Sequence, residues 1–286
     1  MDPWPDALTN ELANRRCIIF LGSGASAGSS SLGATASKPP TWVELLNEMK
    51  GHMRTAPDIA AATELIGMGK YLDAAEVIKN DIPVADFTTF MRSKFGGHFT
   101  PSPIHEAVLR IDPKIVITTN YDEIYDTYCR HGVSEGLVKV CKYYDTGLIE
   151  ALRSPIRLII KAHGCVTEST RTVLTRSEYF RARQHNAGFY KTLDALFLTN
   201  TLFFIGYRLT DPDIQLVLEN VNIAAESGHP HYACIPSGMH TVIKKAMQTT
   251  YNIDFIEYPE HKFDEVYENL GLLADEVIGF RAANPA

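Results

Sequence analysis

The chain has 286 residues, 45% of them apolar and 21% charged, with a formal net charge of −7. That balance belongs to an ordinary globular protein and offers no basic surplus for a nucleic-acid backbone. The opening segment MDPWPDALTN carries no apolar signal-peptide core, and no apolar run approaches the roughly 20 residues a bilayer requires. The five cysteines, Cys17, Cys129, Cys141, Cys165 and Cys234, are scattered and form no C-x-x-C pair. This argues against a disulfide framework and against a paired-cysteine zinc ribbon, so a reduced, cytoplasmic setting is expected.

Short apolar runs alternate with amphipathic helical patterns, the signature of an α/β protein. Buried parallel strands are predicted at Cys17–Leu21, Ile115–Thr118, 156–161, Thr201–Ile205, 232–235 and 253–256, each a near-continuous apolar run. About 90 residues separate the first two strands. Of these, 23–40 is rich in Gly, Ser, Ala and Pro and reads as an extended loop. Thr41 and Glu44 then form a T-x-x-E capping box that opens a helix to about residue 53. Further helical patterns lie at 59–67, 71–79, 85–95 and 104–111. The expected fold is thus a doubly wound, Rossmann-like, mostly parallel sheet. It forms a single domain over 1–286, with a small helical module inserted at 41–112. The tail RAANPA is expected to fray.

Directly after the first strand comes Gly22-Ser23-Gly24-Ala25-Ser26-Ala27-Gly28. A glycine-rich turn between a buried strand and a helix start offers backbone N–H groups to a pyrophosphate, although such a turn is also a common way to reverse the chain tightly. Its spacing is G-x-G-x-x-x-G rather than the dehydrogenase G-x-G-x-x-G. No second strand ending in an acid follows about 20 residues later. A G-x-x-x-x-G-K-[ST] loop is absent too, so neither a dehydrogenase nor a P-loop ATPase is indicated.

The second strand runs into Thr118-Thr119-Asn120-Tyr121-Asp122 and the next into Lys161-Ala162-His163-Gly164. Ligands of open α/β sheets bind beyond the carboxyl ends of the strands. Asn120 there can orient a water or a sugar hydroxyl, and His163 suits acid–base work near neutrality. Each taken alone also reads as a turn former or a structural residue.

The order GSGAS, TTNYD, KAHG and then Phe204-Ile205-Gly206-Tyr207 resembles the sirtuin family over roughly residues 10–260, outside the helical module. In that family the corresponding motifs are G-A-G-x-S, T-Q-N-[ID]-D, H-G and G-[TS]-S. The resemblance implies NAD⁺ as substrate. It implies a pyrophosphate cradle at Gly22, Ser23, Gly24, Ala25 and Ser26, and an adenosine-ribose contact beginning at Gly206. Asp122 would hold the nicotinamide carboxamide, Asn120 would orient the attacking water or ribose hydroxyl, and His163 would act on the ribose hydroxyls. Thr119 replaces the family's Gln, and Tyr207 follows Gly206 in place of T-S. The zinc module of two C-x-x-C pairs is missing, Cys165 standing alone, which puts acyl-lysine binding in doubt and leaves no metal site expected.

With T-R-S-E-Y-F at 175–180 and G-Y-R-L-T-D-P-D-I at 206–214, the pattern resembles the bacterial sirtuin-like branch that hydrolyses NAD⁺ in antiphage defence. In a defence role the trigger is expected from elsewhere, either a separate partner such as a HerA-like hexameric ATPase or self-assembly, and a homo-oligomer is expected. Three other readings stand beside it: a subunit that senses NAD⁺ or cyclic ADP-ribose without turnover, a protein deacylase or ADP-ribosylating enzyme, and a mainly structural subunit that builds rings or filaments. Asp211-Pro212-Asp213 reads as a helix start with acids at its positive end rather than a metal site. His229-Pro230-His231 offers two ligands without a third.

Overall fold

The computed structural model describes residues 1–32, 38–132, 138–225 and 229–284. Among these, seven strands build one sheet: β1 (Cys17–Leu21), β2 (Ile115–Thr118), β3 (Val138–Lys142), β4 (Arg157–Lys161), β5 (Thr201–Ile205), β6 (His231–Pro236) and β7 (Ile253–Tyr258). Their order is β3-β4-β2-β1-β5-β6-β7, and every neighbouring pair is parallel. This is the expected Rossmann-like, doubly wound architecture, and here the sheet is parallel throughout.

Both faces of the sheet are covered, which is why its strands are apolar at consecutive positions. In β1, Cys17, Ile19 and Leu21 enter one core, while Ile18 and Phe20 enter the other. The helices Asp6–Ala13, Pro103–Ile111 and Phe263–Ala283 supply the first core, and Ala187–Thr199 and Pro212–Ala224 the second. Each fully buried aliphatic or aromatic side chain contributes roughly 1.5–3 kcal/mol, so these two layers fix the positions of the strand ends.

A third cluster joins the helices Trp42–Met49, Ala56–Gly67, Tyr71–Asp81 and Val84–Phe95. Thr41 and Glu44 form the expected capping box, with the Thr41 N–H donating to the Glu44 carboxylate at 2.7 Å. Trp42 packs on Tyr71 with ring centroids 5.8 Å apart. The same cluster includes Cys165, Val166 and Leu174, so these helices bear on the segment that follows β4.

The structure corrects three expectations. Val138–Lys142 is an additional strand; it lies at the sheet edge, where its VKVCK pattern leaves four of five residues half-exposed. Within 23–40, Ser23–Ser26 is a short helix, and residues 33–37 lie outside the described residues. The tail does not fray from Arg281: the last helix continues through Ala283. The Arg281 guanidinium donates to the carbonyls of Ala13 at 2.9 Å, Ile111 at 2.7 Å and Leu12 at 2.7 Å. Residues 285 and 286 lie outside the described residues. Among those described, no helix is long and apolar enough to cross a membrane.

Two buried histidines make the fold sensitive to acid. His105 Nδ1 accepts the Ser102 N–H at 3.0 Å, and His231 Nδ1 accepts the Leu202 N–H at 3.2 Å. Burial pushes both imidazoles down to about 4, against a smaller opposing effect of Asp126 on His105. The folded state therefore favours their neutral forms. Their contribution is fully present above the unfolded value near 6.5 and is lost as pH falls toward 4. Urea unfolding at pH 7 and pH 4.5 should differ by several kcal/mol, on the order of 2–3 per histidine. Equal stability at the two values would contradict this.

Candidate active site

The strand register brings the motifs together. Leu21 pairs with Thr118 on one side and with Ile205 on the other, and Thr118 pairs with Lys161. The final residues of β4, β2, β1 and β5 thus stand in one row about 15 Å wide, given the usual interstrand spacing. Immediately past this row lie His163, Asn120, Gly22 and Gly206. The connection from β1 goes to one side, and β5 to β7 extend the other, so the row spans the topological switch point where α/β sheets bind ligands.

The loops after β1 and β5 are in direct contact. Gly22 N–H donates to Ile205 O at 3.0 Å and Gly24 N–H to Gly206 O at 2.9 Å. A Cβ on Gly22 would lie 2.3 Å from Gly206 O, and one on Gly24 would lie 2.9 Å from Gly206 Cα. Gly206 has φ +64°, and a Cβ there would lie 2.4 Å from Ala25 N. These glycines accordingly permit the close approach of two loops, with Ser23 and Ala25 carried on the helical turn between them. Gly206→Ala combines a left-handed backbone with a collision against main chain. We expect a loss of roughly 2–4 kcal/mol in urea denaturation; parental stability would show that the turn has room.

Asn120 fastens this turn to β2. Its Nδ2 donates to Gly22 O at 2.9 Å and to Ser26 Oγ at 3.1 Å, and its own N–H donates to Thr118 Oγ1 at 3.0 Å. Both amide hydrogens are committed, which leaves Oδ1 as the group able to accept from a water or hydroxyl. Ser26 Oγ in turn donates to Asp122 Oδ2 at 3.0 Å, and the other oxygen of Asp122 accepts Ile124 N–H at 3.1 Å. Ser26 and Asp122, both buried, therefore bond to each other behind the turn. Beneath them Lys161, 1% exposed, donates to Asp122 O and pairs with Asp126 Oδ2 at 3.2 Å. Burial opposes the ammonium form of Lys161, but Asp126 and its neighbours outweigh it and raise the pKa, so the charge persists.

On the far side of β2, His163 Nε2 lies 3.2 Å from Asp211 Oδ2. Tyr179 OH donates to that same oxygen at 2.6 Å. The His163 loop is held from behind, since Val173 N–H donates to His163 O at 3.0 Å and Tyr121 OH donates to Val173 O at 2.7 Å. Asp211 also caps the helix Pro212–Ala224, its Oδ1 accepting from Asp213 N and Ile214 N. The helix start was legible in the sequence; the contact with His163, and that of Tyr179, were not. Tertiary packing across 48 residues creates the first, and a sequence shows only that a buried histidine needs some partner.

A cavity of 550 Å³ opens beside this loop, lined by Lys79, Phe87, Tyr143, Arg171, Thr172 and Arg181 among others. Neither Asn120 nor His163 is among its walls. Among the described residues no cluster of three His, Cys, Asp or Glu side chains is arranged to hold a metal ion.

The fold is thus a doubly wound, Rossmann-like parallel sheet with an amide and an imidazole just past adjoining strand ends. The SIR2-like domain profile matches residues 114–256, half of the chain, and the protein belongs to the SIR2-like family. It is 23% identical over 230 residues to the NAD(+) hydrolase ThsA of Acinetobacter baumannii, covering 80% of this chain and 44% of that protein. The Enterococcus faecium NAD(+) hydrolase ThsA is 26% identical, over 72% of this chain and 41% of its own length. Defense-associated sirtuin 2 of Bacillus subtilis is 25% identical, over 74% of this chain and 20% of its own. The chain thus spans less than half the length of these relatives.

Proposed function

We propose that this chain is an NAD⁺ hydrolase that cleaves the nicotinamide–ribose bond, depleting NAD⁺ in antiphage defence. One observation carries the reading: Asn120 and His163 each lie two residues past Thr118 and Lys161, which are partners in adjoining strands. The names of the relatives support the same chemistry.

In this reading NAD⁺ lies across the switch point with its pyrophosphate at the Gly22–Ser26 turn and its adenosine ribose toward Gly206. Because Gly24 N–H and Asn120 Nδ2 now bond within the protein, substrate entry exchanges some of those bonds for bonds to phosphate and ribose. Asp122 meets the carboxamide once the Ser26 hydroxyl turns away. A water held by Asn120 Oδ1 attacks the ribose carbon as the glycosidic C–N bond breaks. Its electron pair leaves with neutral nicotinamide. His163 takes the proton from the water, giving ADP-ribose. Positioning of this kind supplies up to ~7–11 kcal/mol in favourable cases. Of the helical module over 41–112, the helices up to Phe95 cover the cleft, whereas Pro103–Ile111 packs in the first core of the sheet. The protein acts in the cytoplasm as a homo-oligomer, with a HerA-like ATPase as a partner that raises its turnover.

Incubation with NAD⁺, scored for nicotinamide and ADP-ribose, tests the proposal. Release of both without a peptide is the expected result. Binding without turnover would indicate a sensing subunit, and turnover only with an acyl-lysine peptide would indicate a deacylase.

A further inference from the structure

We propose that Asp211 and Tyr179 are positioning residues that fix the tautomer and orientation of His163; this rests on the hydrolase reading above and deepens it. All three side chains are buried, His163 at 5%, Asp211 at 8% and Tyr179 at 4% exposure. Every acceptor of the Asp211 carboxylate that faces protein is directed. Oδ1 accepts Asp213 N–H at 3.0 Å and Ile214 N–H at 3.1 Å. Oδ2 accepts Tyr179 OH at 2.6 Å and faces His163 Nε2 at 3.2 Å.

A carboxylate can only accept hydrogen bonds. In this proposal the proton of a neutral His163 sits on Nε2, facing Asp211 Oδ2 at 3.2 Å, and Nδ1 carries the lone pair that receives a proton from water. Tyr179 completes the clamp in two ways. Its hydroxyl remains a donor, since burial, with Asp211 beside it, holds its pKa well above the ordinary phenol value. Its ring also meets the imidazole edge-on, with centroids 5.1 Å apart at 78°. Tyr179 is itself placed by the capping box of Thr175 and Glu178 that starts the helix Arg176–His185. The T-R-S-E-Y-F and D-P-D stretches thereby acquire one shared task. The first delivers the phenol and the second the carboxylate, on opposite sides of the imidazole.

Asp211→Asn separates this role from the capping role. Asparagine is as good an N-cap as aspartate, so the helix start survives, while an amide N–H turned toward Nε2 would demand the opposite tautomer. We expect kcat for nicotinamide release to fall about 10²–10⁴-fold with KM little changed. Imidazole ¹⁵N NMR, with the His163 signals assigned by their loss in His163→Ala, should show Nε2–H in the parent and Nδ1–H in Asp211→Asn. Tyr179→Phe, which leaves the cap untouched, should retain Nε2–H and lower kcat about tenfold; it keeps the test open should Asp211→Asn not fold. Nδ1–H in the parent, an unchanged tautomer in Asp211→Asn, or parental kcat in both variants would overturn the proposal. A parent that releases no nicotinamide would instead remove the hydrolase reading, and the tautomer comparison would still decide what orients His163.

Discussion

Asn120→Ala and His163→Ala are each expected to reduce nicotinamide release from NAD⁺ by at least about 100-fold, because general acid–base assistance alone is worth 10²–10⁴-fold. The two losses have different origins. Removing the Asn120 amide takes away the acceptor that orients water and also the two bonds that hold Gly22 and Ser26. Removing His163 takes away the proton acceptor and leaves Asp211 with Tyr179 and its backbone donors. The two groups serve one step, so the double variant should be little slower than either single one. Progress curves for the three variants, with far-UV circular dichroism to confirm folding, check this. A folded variant of either kind that keeps the parental rate would remove that residue from the mechanism.

Lys161→Met is expected to destabilise the protein by about 3–5 kcal/mol, a large stability effect. The ammonium group is buried, bonded to Asp122 O and paired with Asp126, which is itself only 2% exposed. Without it Asp126 becomes an uncompensated charge in the interior. The carbonyl that steadies the Asp122 loop also loses its donor. Adding Asp126→Leu should recover most of the loss, since an apolar pair often matches a buried ion pair in stability. Urea denaturation of the parent and the single and double variants measures this coupling. A Lys161→Met protein as stable as the parent would show that Asp126 has another neutralising partner.

Much of the fold was legible because the physics behind it is local. Apolar runs such as CIIFL and TLFFI can only be strands covered on both faces. The T-x-x-E at Thr41 and the D-P-D at Asp211 declare helix starts by their capping chemistry. Val138–Lys142 escaped because an edge strand has one exposed side and admits lysines, which erases the apolar signal. Arg281 looked like part of a fraying tail because its three carbonyl partners belong to residues about 170 and 270 positions away.

The site was legible to a different depth. Placement of Asn120 and His163 past adjoining strands follows from where apolar runs end. The glycines carried a double meaning that only coordinates resolve: Gly22, Gly24 and Gly206 let two loops touch before any phosphate is considered. The partners of His163, Tyr179 and Asp211, lie 16 and 48 residues later, and no spacing rule connects them.

The central claim is that the bond to be broken lies between the Asn120 amide and the His163 imidazole. A crystal structure of the His163→Ala protein soaked with NAD⁺ tests it most directly. The expected result is the pyrophosphate on the Gly22–Ser26 turn and the nicotinamide ribose within hydrogen-bonding reach of Asn120, facing residue 163. NAD⁺ bound instead in the 550 Å³ cavity by Tyr143 and Arg171, with the turn unchanged, would contradict it.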